Sequence, residues 1–209
     1  MTTLARRERH ALCDLVLALG PTAPTLLDGW DATDLVTHLL VREHSPLGAA
    51  GLLVPPLSGL TDRAMARRRR QDPAALVERL REPGATPYAL PGVEVLANTL
   101  EYLVHHEDLR RAQPGWEPRR LDPVDLDLVW RLVSGMGRLL VRPAGVPVRA
   151  VRSDTGAAVT LRRGPDPVVV TGPVVELTLF LFGRDAVRDV VLDGPPDAVT
   201  TLREADLGL

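Results

Sequence analysis

The chain has 209 residues, 45% of them apolar and 25% charged, with a formal net charge of −2. This is the profile of an ordinary globular protein of one large domain or two small ones, and it gives no electrostatic case for nucleic acid or an anionic membrane surface. A single cysteine, Cys13, excludes an intrachain disulfide and a cysteine-based zinc site, and no apolar run approaches the ~18 residues of a membrane span. The charged N-terminus lacks the apolar core of a signal peptide, so the reducing cytoplasm is the expected compartment. Aromatic residues make up only 3%, which leaves Leu, Val and Ala to build the core. All 25 basic residues are arginine and 19 residues are proline, a bias typical of a GC-rich, actinobacterial-type genome.

The first helix is predicted over 3–19, with Leu12, Leu15, Val16 and Leu19 on one face and Gly20-Pro21 ending it. Cys13 lies off that stripe and reads as a small buried or half-buried thiol. After a Pro/Gly-rich connection, Asp31 has the character of an N-cap, with Asp34 near the positive end of the helix dipole. The helix that follows, over about 32–44, puts Leu35, His38, Leu39 and Arg42 on one face, so His38 is expected to point inward. Residues 45–57 are a loop rich in Gly, Pro and small apolar residues that could roof a pocket or simply connect two helices. A third helix over 58–70 carries Arg67, Arg68, Arg69 and Arg70, a run that sweeps the whole circumference and reads chiefly as a solvated helix end. Asp72-Pro73 opens another helical segment that ends near residues 83–84.

Residues 92–112 form the stretch around which the rest is organised. Val93, Leu96, Ala97, Leu100 and Val104 follow the spacing of a buried helix face, and Glu101, His105 and Asp108 continue it. Glu101 and His105 stand four apart, so their side chains lie on neighbouring turns and can converge on one point. A carboxylate and an imidazole aimed into a core cost free energy unless something satisfies them, and a divalent metal would do so. His38, inward on another helix, is the candidate third ligand, and three protein ligands with an open position is the usual arrangement of a catalytic zinc. His44 and His106 are out of this register. His106 is at most a neighbour of the ligand set, and Asp108 can orient a ligand histidine or pair with Arg110 or Arg111.

Pro114-Gly115 breaks this helix, and Asp122-Pro123 starts another that runs to about 141, with Leu126, Val129, Trp130, Val133, Gly137 and Leu140 as its stripe. Four principal helices and a short extra one predict a bundle over 1–143. Beyond Pro143 the pattern changes. Short β-rich runs at 146–152, 157–162, 168–171 and 190–192 accompany an apolar helix at 173–182 and a last helix at 196–204. The expected fold is therefore α+β, with a small α+β domain at 144–209 after the helical one.

The segments Gly-Trp-Asp-Ala-Thr-Asp-Leu-Val-Thr-His and Glu-Tyr-Leu-Val-His-His-Glu-Asp-Leu-Arg-Arg-Ala, with the helix ending Leu181-Phe182-Gly183-Arg184, resemble the DinB-like four-helix proteins. The resemblance is closest to their mycothiol-dependent maleylpyruvate isomerase branch, and within it to an actinobacterial metal-binding subgroup without an established reaction. It covers essentially the whole chain. It implies a metal held by His38, Glu101 and His105, and a bound low-molecular-weight thiol, mycothiol or another, that the metal activates for attack on a small electrophile by S-transfer or by reversible addition and isomerisation. Arg42 and Arg110 lie about one turn beyond the ligand residues and are candidates to grip a charged substrate. Two imidazoles and a carboxylate suit zinc, with nickel, iron and manganese as alternatives. The other readings are a non-catalytic metal or small-molecule binding protein of the same fold, and a metal-free polar core network. No nucleic-acid or membrane partner is expected; a homodimer is compatible with such a bundle, but no stripe is diagnostic of one.

Overall fold

A computed structural model describes residues 2–45, 58–82, 84 and 86–208. The loop expected at 45–57, with its place over a pocket, thus lies outside the described residues beyond Ser45, as does Pro83. Contacts divide the chain into two compact units, Met1–Trp116 and Glu117–Leu209. No helix among the described residues is long and apolar enough to cross a membrane.

The first unit is helical: α1 (Leu4–Leu19), α2 (Ala32–His44), α3 (Ser58–Arg68), α4 (Pro73–Arg81) and α5 (Thr99–Arg111). Local chemistry sets the ends. Thr3 caps α1 by accepting the Arg6 amide, and Gly20, at φ 92°, ends it in a conformation that disfavours a side chain. At α2, Asp31 accepts the Asp34 amide while the Asp34 carboxylate accepts the Asp31 amide, a reciprocal capping box. Asp72 caps α4, with Pro73 at its first position. Helix α1 packs on α5 and α4, and α2 packs on α4 and α3. Leu12, Leu35, Leu39, Leu76, Leu80 and Leu109 are fully or almost fully buried in their shared core, along with Cys13. Each such leucine contributes roughly 1.5–3 kcal/mol.

One stretch departs from the expected periodicity. Before α5 the chain makes a short turn, Pro91–Val93, and then a π-helical segment, Glu94–Asn98. A π turn takes more residues than an α turn, so the inward face shifts. Val93 and Leu96, expected inside, are 39% and 67% exposed, while Glu94 and Asn98 are buried. The cause lies in α1: Thr3 Oγ1 donates to Glu94 at 3.1 Å and Arg6 Nε at 2.7 Å, fastening that carboxylate inward.

The second unit contains α6 (Pro123–Leu140), β1 (Val148–Arg152), β2 (Ala158–Arg162), β3 (Val168–Gly172), α7 (Val174–Leu181), β4 (Val191–Asp193) and α8 (Pro196–Glu204). Its sheet has the order β2-β1-β3-β4, with β1 and β3 parallel and both outer pairs antiparallel. The fold is thus α+β, as expected. Helix α6, read as the bundle's last member, packs on α7 and β2, and the contacts divide after Trp116 rather than at 143. Gly137 permits the approach to β2, because a Cβ there would stand 2.6 Å from Leu161.

Candidate metal centre

The capping box fixes where α2 begins and hence the phase that turns His38 into the first unit. On α5 the i, i+4, i+7 spacing stacks Glu101, His105 and Asp108 along one side. Together the two helices bring His38, Glu101 and His105 to one point, with their ligand-type atoms all within 4.8 Å of one another. His38 Nε2 and His105 Nε2 each stand 3.4 Å from Glu101 Oε1. That is about the edge of a tetrahedron whose ligands lie ~2.1 Å from its centre. The donor set of two imidazoles and one carboxylate, and these separations, fit a divalent ion.

The surroundings complete the arrangement. Asp108 Oδ2, on a fully buried residue, is 2.9 Å from His105 Nδ1 and so fixes the ring's orientation from behind. Arg42 Nε lies 3.4 Å from Glu101 Oε1. Its other nitrogens are occupied, Nη1 donating to Asn98 Oδ1 at 2.8 Å and Nη2 to the Ala97 carbonyl at 2.6 Å, while the guanidinium stacks 4.7 Å from the Tyr88 ring centre. The Trp30 ring is 5.2 Å from that of His38, which is also 5.2 Å from the His105 ring. His38 Nδ1 is buried with no hydrogen-bond partner.

The charges follow from these contacts. Burial alone would raise the Glu101 pKa, but hydrogen bonds to His105 and His38 and the nearby Arg42 charge hold it well below the usual carboxylate range. Burial is the largest influence on His38 and keeps the imidazole pKa below its ordinary value despite Glu101. For His105 burial is outweighed by Asp108 and Glu101, and the pKa is pushed up to about 9. The site thus keeps the Glu101 carboxylate ionised between one imidazole whose charge is disfavoured and one whose charge is favoured.

Two candidates from the sequence stand elsewhere. His106 Nδ1 meets Glu8 Oε2 of α1 at 2.8 Å, and Arg110 bonds both oxygens of Glu107 at 3.0 Å. Trp30, Tyr88 and Asn98 were not singled out. Trp30 alone left a signal, standing just before the N-cap of the helix that carries His38. A groove of about 540 Å³ in the second unit, lined by Trp130, Arg131 and Arg152 among others, contains none of the clustered residues.

Fold and cluster together define a class: a chain with a helical unit bearing an inward His/Glu/His triple, followed by an α+β unit. No family model and no curated protein matches it. Among solved structures it is similar to a mycothiol-dependent maleylpyruvate isomerase, at a TM-score of 0.62 and 16% identity over 91% of this chain and 90% of that one. A histidine-to-alanine variant of such an isomerase matches with a TM-score of 0.61 and 18% identity over the same shares. At this identity the likeness establishes the shared fold.

Proposed function

We propose that the chain is a divalent-metal protein, with zinc the best-suited ion, that uses a low-molecular-weight thiol such as mycothiol in S-transfer to, or isomerisation of, a small electrophile. The observation that carries this reading is the convergence of His38, Glu101 and His105 within 4.8 Å. When bound, a divalent ion supplies the positive charge that favours thiolate over thiol near neutral pH. Every other task falls to the chain. His38, Glu101 and His105 hold the ion, Asp108 orients His105, and Arg42, 3.4 Å from Glu101 Oε1, adds to the positive surroundings that His105 and His38 give the carboxylate. Trp30 packs against His38, its ring tilted 54° to the imidazole. The thiol and isomerisation chemistry is that of the solved mycothiol-dependent maleylpyruvate isomerases that share the fold, and the donor set supports it here.

The same cluster serves a metal-binding protein without turnover equally well. A metal-free core network is favoured by the hydrogen bonds that already join the three side chains, although the unpartnered His38 Nδ1 weighs against it. The deciding measurement is the metal content of protein purified without added metal, beside a Glu101→Ala/His105→Ala double variant and His38→Ala. Near-stoichiometric metal in the native chain, lost from both variants while helicity persists, is the expected result. No metal in the native chain, and no uptake on titration, leaves the core network. A loaded protein that turns over no thiol with any electrophile tested is a binding protein.

A further inference from the structure

The second unit has a concave surface of its own. The groove of about 540 Å³ is built from the N-terminal half of α6 and from the turn that joins β1 to β2. Its volume falls in the range of small-molecule sites. Helix α6 contributes Val124, Asp127, Trp130 and Arg131, and the hairpin contributes Arg152 and Thr155. The four helical residues stand three or four apart in steps, so they share one face of α6.

A buried ion-pair network joins the two walls. Arg152, the last residue of β1, is 4% exposed. Its Nη1 donates to Asp127 Oδ1 at 2.6 Å, while Nε and Nη2 donate to the two oxygens of Asp154 at 2.9 and 2.7 Å. A bidentate pair reinforced by a second carboxylate holds its partners in a fixed geometry. The groove therefore exists before a ligand arrives, which spares the ordering cost of binding. Two carboxylates answer the one buried cation, so Arg152 presents no net positive charge to an anion.

The groups still available in the groove are mixed in kind. The Asp127 side chain is 63% exposed and gives Oδ1 to Arg152, which leaves Oδ2 as an acceptor. Exposed Arg131 donates from Nε to the Asp127 carbonyl at 3.3 Å, which leaves its Nη atoms as donors. Thr155 Oγ1 accepts the Ala157 amide at 3.3 Å and keeps its own O–H to donate. Trp130 is half-buried, and among the described residues no ring or guanidinium stacks on its indole. An anion would meet Asp127, and a cation would meet Arg131. A hydroxyl group donates and accepts at once, so it matches both. Trp130 and exposed Val124 call for an apolar surface beside those hydroxyls. A sugar ring has both, with hydroxyls around its edge and C–H groups on its faces.

We propose that this groove binds a neutral saccharide, one face of a ring laid on Trp130 and its hydroxyls paired with Asp127, Arg131 and Thr155. The site lies within the second unit and shares no residue with the His38/Glu101/His105 cluster, so the two stand or fall separately.

The test is a titration of the full chain with glucose, N-acetylglucosamine and maltose in turn. The readouts are the Trp130 indole ¹⁵N–¹H resonance, identified by its loss in Trp130→Phe, and the Thr155 amide resonance. Glycerol controls for bulk polyol effects, and succinate, ethylammonium and glycine stand for charged ligands. A saturable shift of both resonances with at least one sugar is expected. Asp127→Asn and Arg131→Gln should each weaken that binding by about tenfold or more, and Trp130→Ala, read at Thr155, should abolish it. Arg131→Gln keeps the test open should the other variants fold poorly, because Arg131 bonds only within its own helix. No saturable shift with any of the three sugars, a shift no different from that with glycerol, or unchanged sugar affinity in Arg131→Gln would overturn the proposal. So would saturable binding of a charged ligand in place of the sugars.

Discussion

Asp108 shows how much one side chain can matter without touching a ligand. It is fully buried, and its carboxylate sits 2.9 Å from His105 Nδ1, on the side away from Glu101. A carboxylate in that position fixes the ring's orientation and tautomer and makes the opposite nitrogen a better donor. Asp108→Asn preserves the shape but removes the charge. The expected outcome is a divalent-metal affinity lower by about 10–100-fold, measured by competition with a chromophoric chelator. An unchanged urea midpoint beside it would separate orientation of the ring from loss of fold. Unchanged affinity would mean that packing alone holds His105. Cys13 makes the opposite point. It is fully buried and its sulfur faces the Val77 carbonyl at 3.7 Å; burial, the largest influence, pushes its thiol up to about 12. It belongs to the core, where burial keeps the thiol protonated near neutral pH.

At the scale of an element, the π-helical segment decides how α5 enters the unit. Its buried Glu94 is held by Thr3 and Arg6, and its Ala97 carbonyl and Asn98 side chain receive Arg42, which in turn approaches Glu101. Glu94→Ala removes the tether. It should cost about 1 kcal/mol in a urea melt, kept small by the half-exposed Arg6, and should lower metal affinity through the displaced Arg42. A stability loss with affinity unchanged would show that the segment serves folding alone. This element also marks where the sequence stopped being legible. Helix α2 was readable from the Asp31 and Asp34 spacing and the leucines after it, and the meeting of Glu101 with His105 follows from α-helical geometry. Val93 and Leu96 were misplaced because a 3.6-residue period was carried through a turn of a different pitch. The anchors responsible, Thr3 and Arg6, lie some ninety positions earlier, where no local pattern points to Glu94. The boundary read at 143 followed the change from helix to strand propensity, whereas the contacts divide after Trp116.

At the scale of the whole first unit, cohesion depends on a polar knot that no local spacing reveals. Arg9 of α1 donates to both oxygens of Glu43 in α2, at 2.9 and 2.6 Å, and to the Leu80 carbonyl in α4 at 2.8 Å. Tyr102 of α5 donates to Glu43 at 2.9 Å, and its ring lies 4.3 Å from the Arg9 guanidinium. Four helices thus share one buried, mutually satisfied network, which ties their packing together. Burial, then the Glu43 carboxylate, raises the Tyr102 phenol well above its usual value. Because the folded pKa exceeds the unfolded value of about 10, the folded state disfavours ionisation. The phenol's contribution is therefore complete below pH ~10 and is lost as the pH climbs from there toward the folded value. Urea midpoints should accordingly fall above pH ~10, with absorbance at 295 nm showing the Tyr102 phenolate only as the unit unfolds. Tyr102→Phe should cost about 1–3 kcal/mol at neutral pH, from the lost hydrogen bond to the buried carboxylate, and should flatten that alkaline decline. Should the variant decline as steeply as the native chain, the alkaline limit would lie elsewhere, and the knot would act through packing rather than through its protons.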